Sequence, residues 1–296
     1  MAKSILQPLL FLSISVVTFL VCYLLAITVQ VGTIAYENVS LILVVMGLSF
    51  LIHWIMFIPS YVFQTEKFYD LTGSLTYITI LIFVVYIKQL LVHSVLDLRS
   101  ILILSCIIIW TVRLGSFLFW RVLKDGEDKR FRTIKTSASQ FFMTFTLSGL
   151  WVTLCSMCAL VAISSSEGIV MNALTYIGII LFIIGFSIEV IADNQKTAFR
   201  SIEANKDSFI TSGLWSKSRH PNYFGEVLLW FAIAVISFSS LEGLQLITLI
   251  SPLFTYILLV YVSGVRMLED MNDQKWANDE GYKSYKNNTP MLFPKL

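Results

Sequence analysis

Eight long apolar runs constrain this chain more than any other feature of its sequence. A helix needs about 20 apolar residues to cross a hydrocarbon core of about 30 Å. Only helices or closed barrels satisfy their backbone groups in lipid, and barrel strands would alternate in polarity. The sequence therefore predicts an all-α polytopic transmembrane helix bundle of seven or eight spans, near residues 5–31, 38–62, 71–93, 100–121, 141–163, 170–192, 223–240 and 244–262.

The composition agrees with an integral membrane protein. Hydrophobic residues make up 56% of the chain and charged residues only 14%, whereas soluble domains average about 25% charged residues. The cysteines all lie inside apolar runs, so we expect small core or lipid-facing side chains rather than disulfides or metal ligands. No metal is expected. The cysteines are Cys22, Cys106, Cys155 and Cys158.

Basic residues concentrate in the connections 121–135 and 193–222 and in the tail after residue 262. The positive-inside rule then predicts that both termini and both basic connections are cytoplasmic, in a bacterial inner membrane or an endoplasmic reticulum. Only Lys88 and Arg99 fall on the opposite side. The expected partner of such a chain is the lipid bilayer. No nucleic acid is expected, and the oligomeric state stays open.

The segment 189–226 turns abruptly polar at the end of an apolar run. Glu189, Asp193, Lys196 and Arg200 follow one another at i, i+4, i+7 and i+11, so they share one helical face. Ion pairing along the helix is one explanation. We favour a second, in which Lys196 and Arg200 present two cations to a phosphate or pyrophosphate.

The stretch SRHPNYFGE adds a second set of polar side chains. Its proline predicts a helix start. Asn222 and Glu226 then lie one turn apart on one face, which suits recognition of a ribose or a carboxamide. The chain has no GxGxxG or GxxxxGKS sequence, which excludes a Rossmann or P-loop site. A nucleotide would therefore be held within the helical bundle, and we expect the aromatic C-terminal tail to fold back over its cytoplasmic opening.

These residues resemble the C-terminal domain of the steroid 5α-reductase family, in particular an uncharacterised bacterial and eukaryotic membrane branch. Sterol reductases have a similar arrangement, and isoprenylcysteine carboxyl methyltransferases are more distantly similar. The resemblance begins near residue 105 and is carried by RLGSFLFWRV, GEDKRF, IEVIADNQKTAFR, SGLWSKSRHPNYFGE, SGVRMLED and GYKSYKNNTPMLFP. It implies one integral membrane domain, 1–296, with substrate-side helices in 1–104 and a cofactor-binding part in 105–296.

The resemblance also implies that NADPH lies in a pocket among the later helices. The matching cofactor-binding positions are Asp193, Lys196, Arg200, Arg219, His220, Asn222, Tyr223, Glu226, Glu269, Tyr282 and Tyr285. The family's Gln-Glu-X-Pro motif has no direct equivalent, because the corresponding region reads YVFQTEKFYDLTG. Glu66 or Tyr223 is then the candidate catalytic acid, and Asp70 could do an analogous job.

Together with the polar residues, the resemblance implies an enzyme, an NADPH-dependent oxidoreductase of the class that acts on CH–CH groups, which would reduce a conjugated double bond of a lipophilic, steroid- or isoprenoid-like substrate. Two alternatives stay open. One is a membrane methyltransferase of the isoprenylcysteine or phospholipid type, although S-adenosylmethionine carries no phosphate for Lys196 and Arg200. The other is a non-catalytic lipid-binding membrane protein.

Overall fold

The computed structural model describes residues 2–92, 96–128, 130–165, 171–205, 207–262 and 264–295, with the backbone alone for residues 2–5. Its helices are α1 Ala2–Val29, α2 Leu41–Val62, α3 Tyr69–Val92, α4 Leu98–Asp125, α5 Phe131–Ile134, α6 Ala138–Ile163, α7 Ala173–Ser201, α8 Pro221–Phe238, α9 Ser251–Ile257, α10 Val265–Lys275 and α11 Glu280–Asn288. A small hairpin pairs β1 Ala35–Tyr36 with β2 Val39–Ser40 before α2.

The predicted all-α transmembrane bundle is confirmed. Within the described residues, eight helical stretches are long and apolar enough to cross a membrane. The last of them, Gly243–Lys275, changes its winding along its length. It begins as the 3₁₀ helix Gly243–Ile250, continues through α9 and the π-helical Leu258–Val262, and ends as α10.

Helix α7 continues to Ser201, well past the apolar run that ends near residue 192. Its last turns are polar, and they carry Glu189, Asp193, Lys196 and Arg200 on a continuous helix. The predicted shared helical face is therefore confirmed, and α7 ends beyond the predicted span because polar residues can extend a helix outside the apolar region.

The chain folds into two compact units, one made of Met1–Asn172 and Ser237–Leu249 and the other of Ala173–Ile236 and Ile250–Leu296. We call them the first and second units. This division does not test the single membrane domain inferred from the sequence or its functional boundary at residue 105, and both stay predictions.

Helix α6 is the centre of the first unit. It packs against α1, α2 and α3, and 78% of its apolar stretch is buried, compared with 22% for α1. Buried polar groups join α6 to α2: His53 Nε2 lies 3.0 Å from Ser148 Oγ, and Trp54 Nε1–H donates to Thr146 Oγ1 at 3.0 Å. Such interhelical hydrogen bonds stabilise packing where lipid offers no partner. All four cysteines are free and buried.

In the second unit, α7 and α8 approach each other backbone to backbone at two glycines. A Cβ on Gly185 would lie 2.8 Å from the carbonyl oxygen of Gly225, and one on Gly225 would lie 2.6 Å from that of Gly185. Only glycine allows this approach. The crossing brings the polar end of α7 to the first turns of α8.

The C-terminal tail folds back on the loop before α8, as expected from its aromatic sequence. Arg219 N–H donates to the carbonyl of Pro290 at 2.9 Å, and Lys295 N–H donates to that of Lys217 at 2.9 Å. Leu292 is buried in a cluster with Val260 and Val265. The tail is thereby fixed by both backbone hydrogen bonds and apolar contact.

Candidate functional site

The second unit contains a cavity of about 90 Å³ at the polar end of α7. Its wall brings together many of the residues predicted from the sequence: Lys196 and Arg200 from α7, Arg219 and His220 from the loop before α8, Glu269 from α10, and Tyr282 and Tyr285 from α11. The elements that contribute them lie up to 89 residues apart in the chain, from Lys196 to Tyr285 (285 − 196).

A turn after α7 shapes one side of the cavity. Gly213 has a φ of 62°, a left-handed conformation that favours glycine, and a Cβ there would lie 2.5 Å from the Gln195 amide. The turn is held by Leu214 N–H, which donates to Gln195 Oε1 at 3.0 Å, and by Trp215 Nε1–H, which donates to the carbonyl of Ala192 at 3.0 Å. The Lys196 ammonium then lies 4.5 Å from the centre of the Trp215 ring, in a cation–π contact.

Arg219 and Glu269 form a two-pronged ion pair at the cavity wall. Arg219 Nε and Nη2 donate to the two carboxylate oxygens at 3.2 and 2.7 Å. The remaining guanidinium nitrogen, Nη1, donates to the carbonyls of Lys286 and Thr289 at 2.8 and 2.6 Å. A largely buried pair is stabilising only when its other donors are also satisfied, which is the case here. These bonds compete with the cofactor contact predicted for Arg219, which stays a prediction.

His220 is the second partner of Glu269. Its Nε2 lies 2.8 Å from Glu269 Oε1, and its ring stacks on Tyr223 with the centroids 5.8 Å apart. Burial lowers the pKa of His220 below its usual 6.5, against the opposing effect of the Glu269 hydrogen bond. We therefore assign a neutral imidazole at pH 7, and its Nε2–H donates because a carboxylate can only accept.

An aromatic wall closes the cavity. The Phe209 ring lies 5.3 Å from Trp276 and 5.8 Å from Tyr285. Tyr285 O–H donates to the carbonyl of Trp215 at 2.6 Å, and burial raises its pKa to about 12. Burial and the Asp273 carboxylate likewise raise the pKa of Tyr282. Both phenols therefore stay protonated at physiological pH.

Sequence reasoning did not assign Phe209 and Trp215 to the site. Their position in the sequence could have indicated this role, because Phe209 and Trp215 flank the turn in SFITSGLW, which lies between two charged segments. Aromatic residues in a polar connection are unusual unless something covers them, and here α7 and the tail do so.

Four predicted cofactor residues do not line the cavity. Asp193 and Glu226 are each only 6% exposed, on α7 and α8 respectively. Tyr223 packs in the apolar cluster that contains Val265. The Oδ1 atom of Asn222 is buried and accepts no hydrogen bond from the residues that the structure describes. Asp193 and Glu226 are thus buried, whereas Asn222 and Tyr223 are half-buried in the first turn of α8.

Glu66, the predicted catalytic acid, lies in the first unit between α2 and α3. It is 5% exposed. One carboxylate oxygen pairs with Lys135 Nζ at 2.7 Å, and the other accepts from Asp128 N–H at 3.1 Å. An open polar depression of the surface, of about 650 Å³, adjoins it, with Lys67 and Glu127 in its wall. Glu66 thus joins the α2–α3 connection to the loop before α5, and its catalytic role stays a prediction.

The geometry of the second-unit cavity suits an anionic ligand with a planar part. Two cations extend from α7, aromatic rings form one wall, and a neutral imidazole and two protonated phenols lie around it.

A family model described as "Protein of unknown function (DUF1295)" matches residues 56–289 of the chain. Neither a curated protein nor a solved structure matches it.

Proposed function

The chain belongs to the family described as protein of unknown function (DUF1295), and from its second-unit cavity we propose that it is an NADPH-dependent membrane reductase. The enzyme would reduce a conjugated double bond in a lipophilic, steroid- or isoprenoid-like substrate. The similarity of its polar segments to the steroid 5α-reductase family supports this identity of cofactor and substrate class.

The observation that carries the proposal is that Lys196 and Arg200 line the same cavity as the aromatic wall. Phosphates favour an arginine fork and an ammonium ion, and a planar ring favours Trp and Tyr faces. S-adenosylmethionine has no phosphate, and its single carboxylate would pair with only one of the two cations. The cavity of about 90 Å³ is smaller than the roughly 300–1,000 Å³ of pockets that enclose whole ligands. It therefore suits one phosphate group or one ring of the dinucleotide.

The donors and acceptors of the second unit fit this cofactor. Lys196 and Arg200, which line the cavity, would bind phosphate. When bound, NADPH would supply a hydride. The reduction also needs a proton, for which Tyr223 of the second unit is the candidate donor. We further propose cytoplasmic N- and C-termini, in a bacterial inner membrane or an endoplasmic reticulum.

The test is the affinity of purified Arg200→Ala for NADPH and NADH. Arg200 is exposed, so its removal should leave the fold intact. A charge-assisted hydrogen bond contributes about 1.5–3 kcal/mol, so we expect NADPH to bind about 10- to 100-fold more weakly. Lys283→Ala is the matched control, because Lys283 lies on α11 and pairs with Glu280 rather than lining the cavity. Equal NADPH affinity in the wild type and Arg200→Ala would contradict the proposal.

A further inference from the structure

Lys88 and Arg99 are the two cations that depart from the basic cytoplasmic pattern, and the proposed reductase site does not use them. Both belong to the first unit and both are buried, with exposed fractions of 3% and 0%. A buried cation in a membrane protein is costly and marks a partner or a ligand. The partners of the two residues differ.

Lys88 is compensated by the protein. Its Nζ donates to the carbonyl of Ile163, the last residue of α6, at 2.8 Å. The carboxyl end of a helix carries a partial negative charge, which favours an ammonium ion there. Asp97 adds a carboxylate oxygen 3.9 Å from the same nitrogen.

Arg99 has only neutral hydrogen-bond acceptors among the described residues. Its two terminal nitrogens donate to the hydroxyls of Ser239 and Ser240. Its Nε–H is buried and has no hydrogen-bond partner in the described part of the chain. Arg99 also lies in the first turn of α4, where the helix dipole disfavours a positive charge.

Among the residues that the structure describes, charge is not balanced around Lys88 and Arg99. Asp97 is the carboxylate that interacts with both cations, and its oxygens already accept from the amide and hydroxyl of Ser100 at 2.8 Å each. In the described part of the chain, two cations and one carboxylate leave one excess positive charge, in surroundings where an uncompensated charge is unfavourable.

The two serines add donors of their own. Ser239 Oγ accepts from Arg99 and also from Asn172 Nδ2 at 2.8 Å, so its own proton is available to donate. No acceptor for the hydroxyl proton of either serine lies among the residues that the structure describes. Ser239 is exposed and Ser240 is half-buried, so a ligand could reach the buried guanidinium past them.

We propose that Arg99, Ser239 and Ser240 form a binding site for a phosphate-type oxyanion, either free or carried by a lipid headgroup. Its oxygens would accept from Arg99 Nε–H and from both hydroxyls, and its charge would offset the excess cation. This site shares no residue with the cavity assigned to the nucleotide, and it does not depend on the proposed reductase activity.

The experiment measures the melting temperature of the protein in a non-ionic detergent. Inorganic phosphate is titrated at fixed ionic strength, and in a second arm phosphatidylglycerol or diacylglycerol is added to the micelles. Saturating ligand should raise Tm by about 5 °C. A rise with inorganic phosphate assigns a free oxyanion. A rise with phosphatidylglycerol, and not with diacylglycerol or inorganic phosphate, assigns a lipid headgroup.

Two variants attribute the effect to the site. Arg99→Lys keeps the charge but removes the Nε–H donor and should lose most of the Tm rise. Ser239→Ala with Ser240→Ala keeps Arg99 and should also reduce the rise, which keeps the test valid if Arg99→Lys does not fold. Lys67→Gln is the control. Lys67 precedes the first residue of α3, whereas Lys88 lies near the last, so the two are about 30 Å apart along that helix. No Tm rise in the wild type, or an equal rise in the Arg99 and serine variants, would overturn the proposal.

Discussion

Glu269 connects three parts of the second unit through one carboxylate. It accepts from Arg219 and from His220, and Lys286 Nζ lies 3.9 Å away. The loop before α8, α10 and α11 therefore meet at this side chain. The sequence indicated these residue types but not their pairing, because Glu269 lies 50 residues beyond Arg219 and no local pattern links such distant positions.

At the same scale, His220 should make stability depend on pH. Its pKa is lowered by burial, so below pH 6.5 the unfolded chain binds the proton more readily than the folded one. The contribution of neutral His220 to the free energy of unfolding is complete above about pH 6.5. It is lost as the pH falls toward the pKa of the folded state, by at most about 1.4 kcal/mol per pH unit. We expect Tm in detergent to decrease from pH 7 to pH 5 less steeply in His220→Gln than in the wild type.

His220→Gln isolates this effect because glutamine can still donate to Glu269, and because other titrating groups act equally in both proteins. The two Tm–pH curves would run parallel between pH 7 and pH 5 if His220 did not change its pKa on folding. A steeper loss in the variant than in the wild type would reverse the sign that burial predicts.

At the scale of elements, the crossing of α7 and α8 fixes where the polar end of α7 lies. The sequence predicted a shared face for Lys196 and Arg200 from spacing alone, and the helix that carries them is present. It did not predict the crossing. Gly185 and Gly225 lie 40 residues apart (225 − 185), and only the three-dimensional structure shows that a Cβ on either glycine would meet the backbone of the other helix.

Gly185→Ala should therefore destabilise the protein. The added Cβ would meet backbone atoms at 2.8 Å, and backbone cannot rotate away as a flexible side chain can, so we expect a loss of about 1–3 kcal/mol. Gly47→Ala on α2 is the matched control, because nothing lies within 4 Å of its Cβ position. Thermal unfolding of both variants measures the difference, and equal Tm values would contradict a close crossing.

At the scale of the whole molecule, eight spans follow from the sequence because length and polarity alone decide whether a helix can cross a bilayer. The candidate site was only partly predictable. The cations and tyrosines of its wall were identified, whereas Phe209 and Trp215 were not, because their role depends on how the turn at Gly213 folds back on α7. Orientation rests on the distribution of Lys and Arg and can be tested directly.

We expect the β1–β2 hairpin, which connects α1 to α2, and the C-terminal tail to lie on opposite sides of the membrane. The native cysteines are buried, so an introduced cysteine should dominate labelling by a membrane-impermeant maleimide. Added from the non-cytoplasmic side of sealed cells or vesicles, the reagent should label Glu37→Cys at once and Lys283→Cys only after permeabilisation. The reverse order would invert the proposed topology.

The central claim is a phosphate-recognising nucleotide site, and ligand-induced stabilisation tests it most directly. Tm of the detergent-purified protein would be measured in phosphate-free buffer with NADPH, NADH and S-adenosylmethionine added separately. At about 100 times its Kd, a ligand specific for the folded state stabilises by about 2.7 kcal/mol. We predict a clear rise in Tm with NADPH that persists in Arg99→Lys, a smaller rise with NADH, and none with S-adenosylmethionine. A rise with S-adenosylmethionine alone would instead indicate methyl transfer, and no rise with any of the three would favour a non-catalytic lipid-binding protein.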